Sequence, residues 1–265
     1  FPLGLIKKNT LKKSEVFDYF VKSWAGSTPQ DIISDLKKYQ SVYLAVSQGH
    51  VMGELKTAID KLDKSRKEKV IAAIGRLVLM NSPASSLPYL MQVFYHKVQE
   101  STNPADVDVA LELLKCFETF LTRRAVCGYE PTGLHALFKV MYSDHVDFSS
   151  AEFWGLIEAR KTITIVSDDE FEEKIQKREL YDARITQFIL SEWNVSEGGD
   201  MINDPPEKEH ILPQTIKGTD WSRIWTEDDH KKNYHRLANL LPVSAPMNKS
   251  ISNAKLSVKL AAYKK

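Results

Sequence analysis

A glutamate and a histidine stand side by side where a short extended segment is predicted to end. Glu209 and His210 are followed by Ile211, Leu212 and the breaker Pro213. A neutral imidazole accepts a proton from water near neutral pH, and a carboxylate oxygen binds hard divalent cations. Because successive strand side chains point to opposite faces, both groups serve one site only if the strand ends or twists there. The pair predicts a catalytic base beside a metal ligand.

Two asparagines further along complete a spaced set of polar side chains. Asn239 lies in a second predicted extended segment, Leu237 to Val243, and Asn248 follows nine residues later at the start of a final predicted helix, residues 245–263. Nine residues suffice to finish a strand, turn and bring a side chain back to the first strand. The order of strand, polar loop, strand and helix predicts a ββα unit at the end of the chain.

Each of these residues alone is also consistent with a structural role. Asn239 could be a turn residue, and Asn248 could cap a helix. His230 and His235 are predicted to be structural or to face a phosphate. Only the joint spacing of Glu209, His210 and the two asparagines favours a catalytic site over a purely structural interpretation.

The pattern Glu-His, Asn-Leu and Asn resembles the HNH, or His-Me finger, nucleases, whose core is a ββα-metal unit. The resemblance implies that Glu209 and Asn248 bind one divalent metal ion. It also implies that His210 is the general base that activates water, and that Asn239 braces the loop that carries the histidine. A phosphodiester bond would be the target of that water.

The metal expected from this resemblance is Mg²⁺ or Mn²⁺. Many HNH sequences carry a Cys-x-x-Cys pair for a structural zinc, but Ser244 and Met247 occupy those positions here. A structural zinc is therefore not expected. The oxygen donors of Glu209 and Asn248 are the kind that hard cations prefer.

A longer ordered set of motifs resembles the C-terminal nuclease domain of GmrSD-type, modification-dependent (type IV) restriction proteins. It is also similar to the C-terminal domain of SspE-type antiphage proteins. The resemblance spans about residues 105–265 and rests on Arg123–Gly128 (Arg-Arg-Ala-Val-Cys-Gly), Glu209–Gln214, Arg236–Leu241, Lys259 and Tyr263, among others. It implies a metal-dependent DNA endonuclease or nickase of a phage-defence restriction system, acting on double-stranded DNA.

In that family a nucleotide-hydrolysing, modification-sensing domain precedes the nuclease region. The present sequence has no Gly-x-x-x-x-Gly-Lys-Ser/Thr loop for phosphates. The resemblance therefore implies that such a domain, if the parent chain has one, lies upstream of Phe1.

Charge is unevenly distributed along the chain. The 265 residues carry a net charge of +1, but residues 207–265 hold 11 basic and 6 acidic residues, and no acidic residue follows Asp229. A basic segment of this kind is typical of phosphate binding, although a solvated terminal face would have the same composition.

In the final predicted helix, Asn248, Ser252, Lys255 and Lys259 recur on one face. The predicted DNA contacts are Lys249, Asn253, Lys255 and Lys259.

The region before the predicted nuclease unit has the apolar periodicity of helices. In one segment, Asp106 to Arg124, the stripe is Val109, Leu113, Cys116, Phe117 and Phe120, and Gly128 is predicted to end the helix. The fold class predicted is mainly α: a helical scaffold, residues 1–195, followed by a small ββα-metal (His-Me finger) unit, residues 196–265. Two cysteines are too few for a disulfide framework, and no apolar stretch is long enough to span a membrane, so a cytoplasmic protein is expected.

Two alternative functions are consistent with the same features. The acidic helical region would suit a non-catalytic adaptor that binds DNA or a protein through a decayed ββα unit. An RNA-cleaving relative would use the same residues, since a metal ion acts on a phosphodiester of either polymer.

Overall fold

The computed structural model describes residues 13–129, 131–144, 147–199 and 206–263, and it is mainly helical, as predicted. No helix in these ranges is both long and apolar enough to cross a membrane. The first nine α-helices are α1 (Val16–Ser23), α2 (Pro29–Lys38), α3 (Gln40–Gln48), α4 (Gly53–Asp60), α5 (Lys64–Met80), α6 (Leu87–Phe94), α7 (Pro104–Cys127), α8 (Leu134–Asp144) and α9 (Ser150–Glu158).

The remaining elements include the only two strands assigned among the described residues. They are α10 (Asp168–Lys177), α11 (Thr186–Ser196), β1 (Glu207–His210), α12 (Glu227–Asn233), β2 (Leu240–Val243), α13 (Ala245–Ile251) and α14 (Leu256–Tyr263). The strands β1 and β2 pair antiparallel.

Backbone contacts divide the chain into two compact units. The N-terminal unit comprises Phe1–Val78, Ser82–Phe120 and Pro131–Ile165, and the C-terminal unit comprises Leu79–Asn81, Leu121–Glu130 and Val166–Lys265. The C-terminal unit therefore holds α10 and α11 together with both strands. The domain boundary predicted between residues 195 and 196 stays a prediction.

The core of the N-terminal unit is built from aromatic side chains at helical spacing. The α7 stripe predicted from the sequence is inward-facing, with Leu113 and Phe117 almost fully buried. The Phe117 ring lies 5.5 Å from that of Phe138 on α8, and Phe138 stacks on Tyr89 of α6 at 6.4 Å. Burial of such rings is the main stabilising contribution that this helical unit gains on folding.

Helix α7 ends as predicted, immediately before Gly128. Gly128 has φ of +80°, and a Cβ atom there would lie 3.0 Å from the Arg178 guanidinium carbon, so both backbone and space favour glycine. The Arg178 guanidinium donates hydrogen bonds to the carbonyl oxygens of Ala125 and Val126, at 2.6 and 2.7 Å. It thereby satisfies carbonyls that the helix end leaves without a helical partner.

The sequence also predicts a helix over about residues 178–194, but α11 begins only at Thr186. The backbone amides of Leu180 and Tyr181 both donate to the carbonyl oxygen of His235, and Glu179 forms an isolated bridge with Arg236. These tertiary hydrogen bonds keep the start of the predicted segment extended.

The single helix predicted over residues 245–263 is wrong, because the structure has two helices there, α13 and α14. The chain leaves the helical conformation at Ser252, whose φ is +35°. Just beyond it, the indole Nε1 of Trp221 donates to the carbonyl oxygen of Ala254 at 3.3 Å. Of the polar stripe predicted along one helix, Asn248 lies in α13 and Lys259 in α14, whereas Ser252 and Lys255 lie in the segment between the two helices.

Candidate active site

The two-stranded pairing brings the Glu-His pair to the end of β1. Glu209 lies opposite Leu241 and His210 opposite Leu240 in the antiparallel register. Because side chains alternate along a strand, Glu207 and Glu209 lie on one face of β1, and Lys208 and His210 on the other. β1 ends at His210, so its two faces meet at the end of the strand, where Glu209 and His210 are both buried.

A pocket of about 590 Å³ lies at this strand end. Its wall includes β1, the loop after Pro213, α13 and the turn at Ser252. Six of the eight side chains predicted as functional line it: Glu209, His210, Asn248, Lys249, Asn253 and Lys259. The structure thus brings most of the predicted set into one cavity.

Glu209 is buried, with 4% of its surface exposed, and its Oε1 atom accepts two hydrogen bonds from α14. Lys259 Nζ lies 2.6 Å from that oxygen, and the Tyr263 hydroxyl lies 3.0 Å from it. Burial, together with the adjacent Glu209 carboxylate, raises the pKa of Tyr263. Among the described residues, the Oε2 atom of Glu209 has no hydrogen-bond partner.

His210 lies between aromatic rings on the opposite face of β1. Its Nε2 atom is 3.2 Å from His235 Nδ1, its Nδ1 atom is 3.3 Å from Gln214 Nε2, and the Tyr181 ring centroid is 4.3 Å away. Burial, and then the neighbouring His235 and Lys259, lower the pKa of His210 to about 4. The imidazole is therefore neutral at pH 7, which is the form that accepts a proton.

Asn239 fixes the loop that follows His210. Its Oδ1 atom accepts a hydrogen bond from the Leu212 amide at 2.7 Å, and its Nδ2 atom donates to the carbonyl oxygens of Leu212 and Tyr234 at 2.9 and 2.8 Å. The Asn239 carbonyl also accepts the Ile211 amide at 2.9 Å. Asn239 therefore connects the backbone of residues 211 and 212 to that of Tyr234.

Asn248 lies one turn into α13, a helix whose start is set by Ser244. The Ser244 hydroxyl accepts the amide of Met247 as an N-cap. Asn248 Nδ2 lies 3.5 Å from Glu207 Oε2, at the limit of a hydrogen bond. The adjacent Lys249 is exposed at the pocket rim.

The four predicted DNA contacts differ in their environment. Lys249 and Asn253 are exposed and line the pocket. Lys255 is exposed outside it and forms an ion pair with Asp220 at 2.7 Å. Lys259 is 0% exposed, so in this structure its ammonium faces Glu209 and is not on the surface where a phosphate contact was predicted. The break at Ser252 places Lys259 in α14, a different helix from the one that carries Asn248 and Lys249.

The comparison with known families concerns the same part of the chain. Residues 165–265 match the family model described as GmrSD restriction endonucleases, C-terminal domain. This segment is a GmrSD-type C-terminal domain. It coincides with the long segment of the C-terminal unit, which begins at Val166, and it relates the chain to restriction endonucleases. No curated protein and no solved structure is significantly similar to the chain.

The pocket of the GmrSD-type domain contains carboxylate and amide oxygens, which are the donor types of a hard divalent cation that takes few ligands from the protein. Within the described ranges, no group of three or more His, Cys, Asp or Glu side chains is arranged to hold a metal ion. Mg²⁺ is commonly bound by only one or two carboxylates, with water and substrate phosphate as the other ligands. Glu209 Oε2 and the amide oxygen of Asn248 are donors of this chemical kind, and both residues line the pocket.

Several residues that line the pocket of the GmrSD-type domain, or that contact His210 beside it, were not predicted as catalytic, metal-binding or DNA-binding from the sequence. Glu207 shares a strand face with Glu209, and the period-two pattern of β1 was the signal for it. His235 and Tyr181 have no such signal, because they reach His210 only through the pairing of residues 179–181 with residues 235 and 236.

Proposed function

We propose that the GmrSD-type domain is a metal-dependent DNA endonuclease of the His-Me finger type that nicks one strand at a time. The observation that carries the proposal is the common pocket, which gathers a histidine, a buried glutamate, an asparagine and an exposed lysine at the end of β1. The order β1, β2, α13 supports the proposal, because two strands followed by a helix are expected for this class. A restriction system that acts against phage is the corresponding biological setting.

His210 is the general base in this proposal. The His210 ring contacts His235 through its Nε2 atom. Its Nδ1 atom faces Gln214, which lines the pocket. From there, the imidazole takes a proton from a water molecule aligned with the scissile phosphate. Asn239 supports the reaction indirectly, because it fixes residues 211 and 212 next to the base.

Glu209 and Asn248 would hold one Mg²⁺ or Mn²⁺ ion through Glu209 Oε2 and the amide oxygen of Asn248. When bound, the ion offsets the negative charge that develops on the phosphate and the leaving oxygen. One base and one ion act on one phosphodiester, so the elementary product is a nick.

Double-stranded DNA is the proposed substrate, held along its phosphates. Lys249 and Asn253 stand at the pocket rim, and Lys255 lies on the exposed turn before α14. Lysine contacts of this kind position a duplex without reading its bases. The acid-free composition after Asp229 supports a phosphate partner over a protein partner.

A supercoiled plasmid assay tests the proposed activity. We expect nicked circles in Mg²⁺ or Mn²⁺ and none after the cations are chelated with EDTA. Matched single-stranded and duplex RNA substrates run beside the plasmid would identify an RNA-cleaving enzyme instead. Salt-sensitive plasmid binding without cleavage in any cation would identify a non-catalytic adaptor and overturn the proposal.

Lys249→Ala is expected to weaken duplex binding roughly equally for unrelated sequences. Loss of one phosphate contact should lower the slope of log K against log salt by about 1. Fluorescence anisotropy at several salt concentrations measures this slope. Lys69→Ala, which removes an exposed lysine of α5, should leave both quantities unchanged. An unaltered slope for Lys249→Ala would remove this lysine from the proposed DNA contacts.

A further inference from the structure

Helix α14 carries two polar side chains, Lys259 and Tyr263, that the proposed reaction does not use directly. Lys259 has no exposed surface, although lysine is almost never fully buried unless it is paired. Its ammonium lies 2.6 Å from Glu209 Oε1, and the Tyr263 hydroxyl lies 3.0 Å from the same oxygen. Two donors from one helix thus converge on one oxygen of the proposed metal ligand.

The same ammonium also contacts the main chain of the proposed base. Lys259 Nζ donates a hydrogen bond to the carbonyl oxygen of His210. One buried cation therefore connects the side chain of Glu209 to the backbone of the next residue. This pair of bonds fixes the end of β1, where the alternation of strand side chains would otherwise leave the two groups independent.

The arrangement has two consequences for a cation at Glu209. Because Oε1 already has two donors, only Oε2 is left to bind the cation, so the carboxylate is presented through one oxygen. The ammonium also neutralises the carboxylate and repels a nearby dication, an effect that is strong where water is excluded. Orientation and weak cation binding therefore follow from the same contact.

We infer that Lys259, assisted by Tyr263, is a positioning residue that aims Glu209 at the cation through one oxygen and weakens cation binding in the absence of DNA. This inference rests on the proposed function. The substrate phosphate then supplies the negative charge that Lys259 removes from the site. Cation binding and DNA binding should consequently reinforce each other.

An anchoring role for α14 gives different results from a positioning role. Loss of a simple anchor would loosen the site, so cation binding and nicking would both weaken. Loss of the positioning ammonium removes a positive charge beside the ligand, so cation binding should strengthen while nicking slows. The opposite signs separate the two roles.

The test compares wild type with Lys259→Met, Lys259→Arg and Tyr263→Phe. Mn²⁺ binding without DNA is measured by calorimetry, nicking is measured at saturating Mn²⁺, and folding is checked by circular dichroism. Lys259→Met should bind Mn²⁺ at least ~10-fold more tightly and nick at least ~10-fold more slowly. Tyr263→Phe should nick several-fold more slowly, with Mn²⁺ affinity within about twofold of wild type.

Lys259→Arg keeps the charge and serves as the test if Lys259→Met does not fold. Its planar guanidinium cannot take the place of an ammonium between two oxygens. It should therefore keep the wild-type Mn²⁺ affinity and lose nicking. Full nicking by Lys259→Arg, or Mn²⁺ binding by Lys259→Met that is unchanged or weaker, would overturn the inference.

Controls separate this inference from the proposed function. Lys177→Met removes an exposed lysine paired with Glu173 at 3.4 Å and should match wild type in every measurement. Mn²⁺ binding can be too weak to measure without DNA. The Mn²⁺ concentration that gives half-maximal nicking is then measured instead, and it should be lower for Lys259→Met than for wild type. If wild type nicks DNA but this Mn²⁺ concentration is not lower for Lys259→Met, the positioning role is contradicted and the proposed function is not. A wild type that never nicks contradicts the proposed function, and with it the inference.

Discussion

Replacing His210 by alanine is expected to lower the rate of plasmid nicking by about 10²–10⁴-fold, the usual contribution of a general base. The imidazole is held at the pocket by contacts with His235 and Gln214. Alanine leaves no group in this position that could accept the proton of the attacking water. Nicking rates at saturating Mg²⁺ under single-turnover conditions measure the loss.

Two further measurements make the His210→Ala result interpretable. Duplex binding by anisotropy should change little, because the imidazole is buried and DNA is held by exposed side chains. His135→Ala, which replaces an exposed histidine of α8, should nick at the wild-type rate. If His210→Ala nicks as fast as His135→Ala, His210 is not the general base.

Replacing Asn239 by alanine is expected to lower the free energy of unfolding of the C-terminal unit by about 2–4 kcal/mol. The side chain makes three hydrogen bonds, two with the Leu212 backbone and one with the Tyr234 carbonyl. Each contributes about 1 kcal/mol net, and the backbone groups left without partners add to the cost. Urea unfolding followed by tryptophan fluorescence measures the change.

Asn233→Ala provides a matched control for this prediction. The Asn233 side chain donates one hydrogen bond to the Asp229 carbonyl within α12, and among the described residues no hydrogen bond joins it to the loop after His210. It should lower stability by about 1 kcal/mol or less. Nicking should also fall more in Asn239→Ala than in Asn233→Ala, because residues 211 and 212 are then free to move beside the base. Equal unfolding midpoints for the two variants would show that Asn239 is not a brace.

The helical region illustrates what apolar periodicity predicts well. The stripe of α7 was predicted to face inward, and Leu113, Phe117 and Phe120 are buried. The helix was predicted to end at Gly128, and it ends at Cys127. Both properties are local, since helical spacing and a left-handed glycine depend on residues within a few turns of each other.

The final helix illustrates the opposite case. A continuous helix over residues 245–263 satisfies the same periodicity, but Ser252 adopts φ of +35° and the helix divides. No property of Ser252 itself predicts this conformation in the sequence. The hydrogen bond from Trp221 to Ala254, which spans more than thirty positions, belongs to the tertiary structure.

The candidate site combines both kinds of information. Residue type and spacing were enough to select Glu209, His210, Asn239 and Asn248, because the strand order and the nine-residue return are local constraints. The partners that define their chemical environment come from distant segments. His235 lies next to His210, and the adjacent Arg236 forms a bridge with Glu179.

The sequence by itself therefore determined a mainly helical protein and the unequal distribution of charge, and it predicted the residues of the candidate site. Only the tertiary structure decided that Lys259, predicted as a surface contact, is buried against Glu209. The physical reason is that the sequence around a lysine in an amphipathic helix is the same whether its ammonium contacts water or a buried carboxylate. Its position depends on the break between α13 and α14 and on contacts with distant residues, such as the hydrogen bond from Trp221 to Ala254.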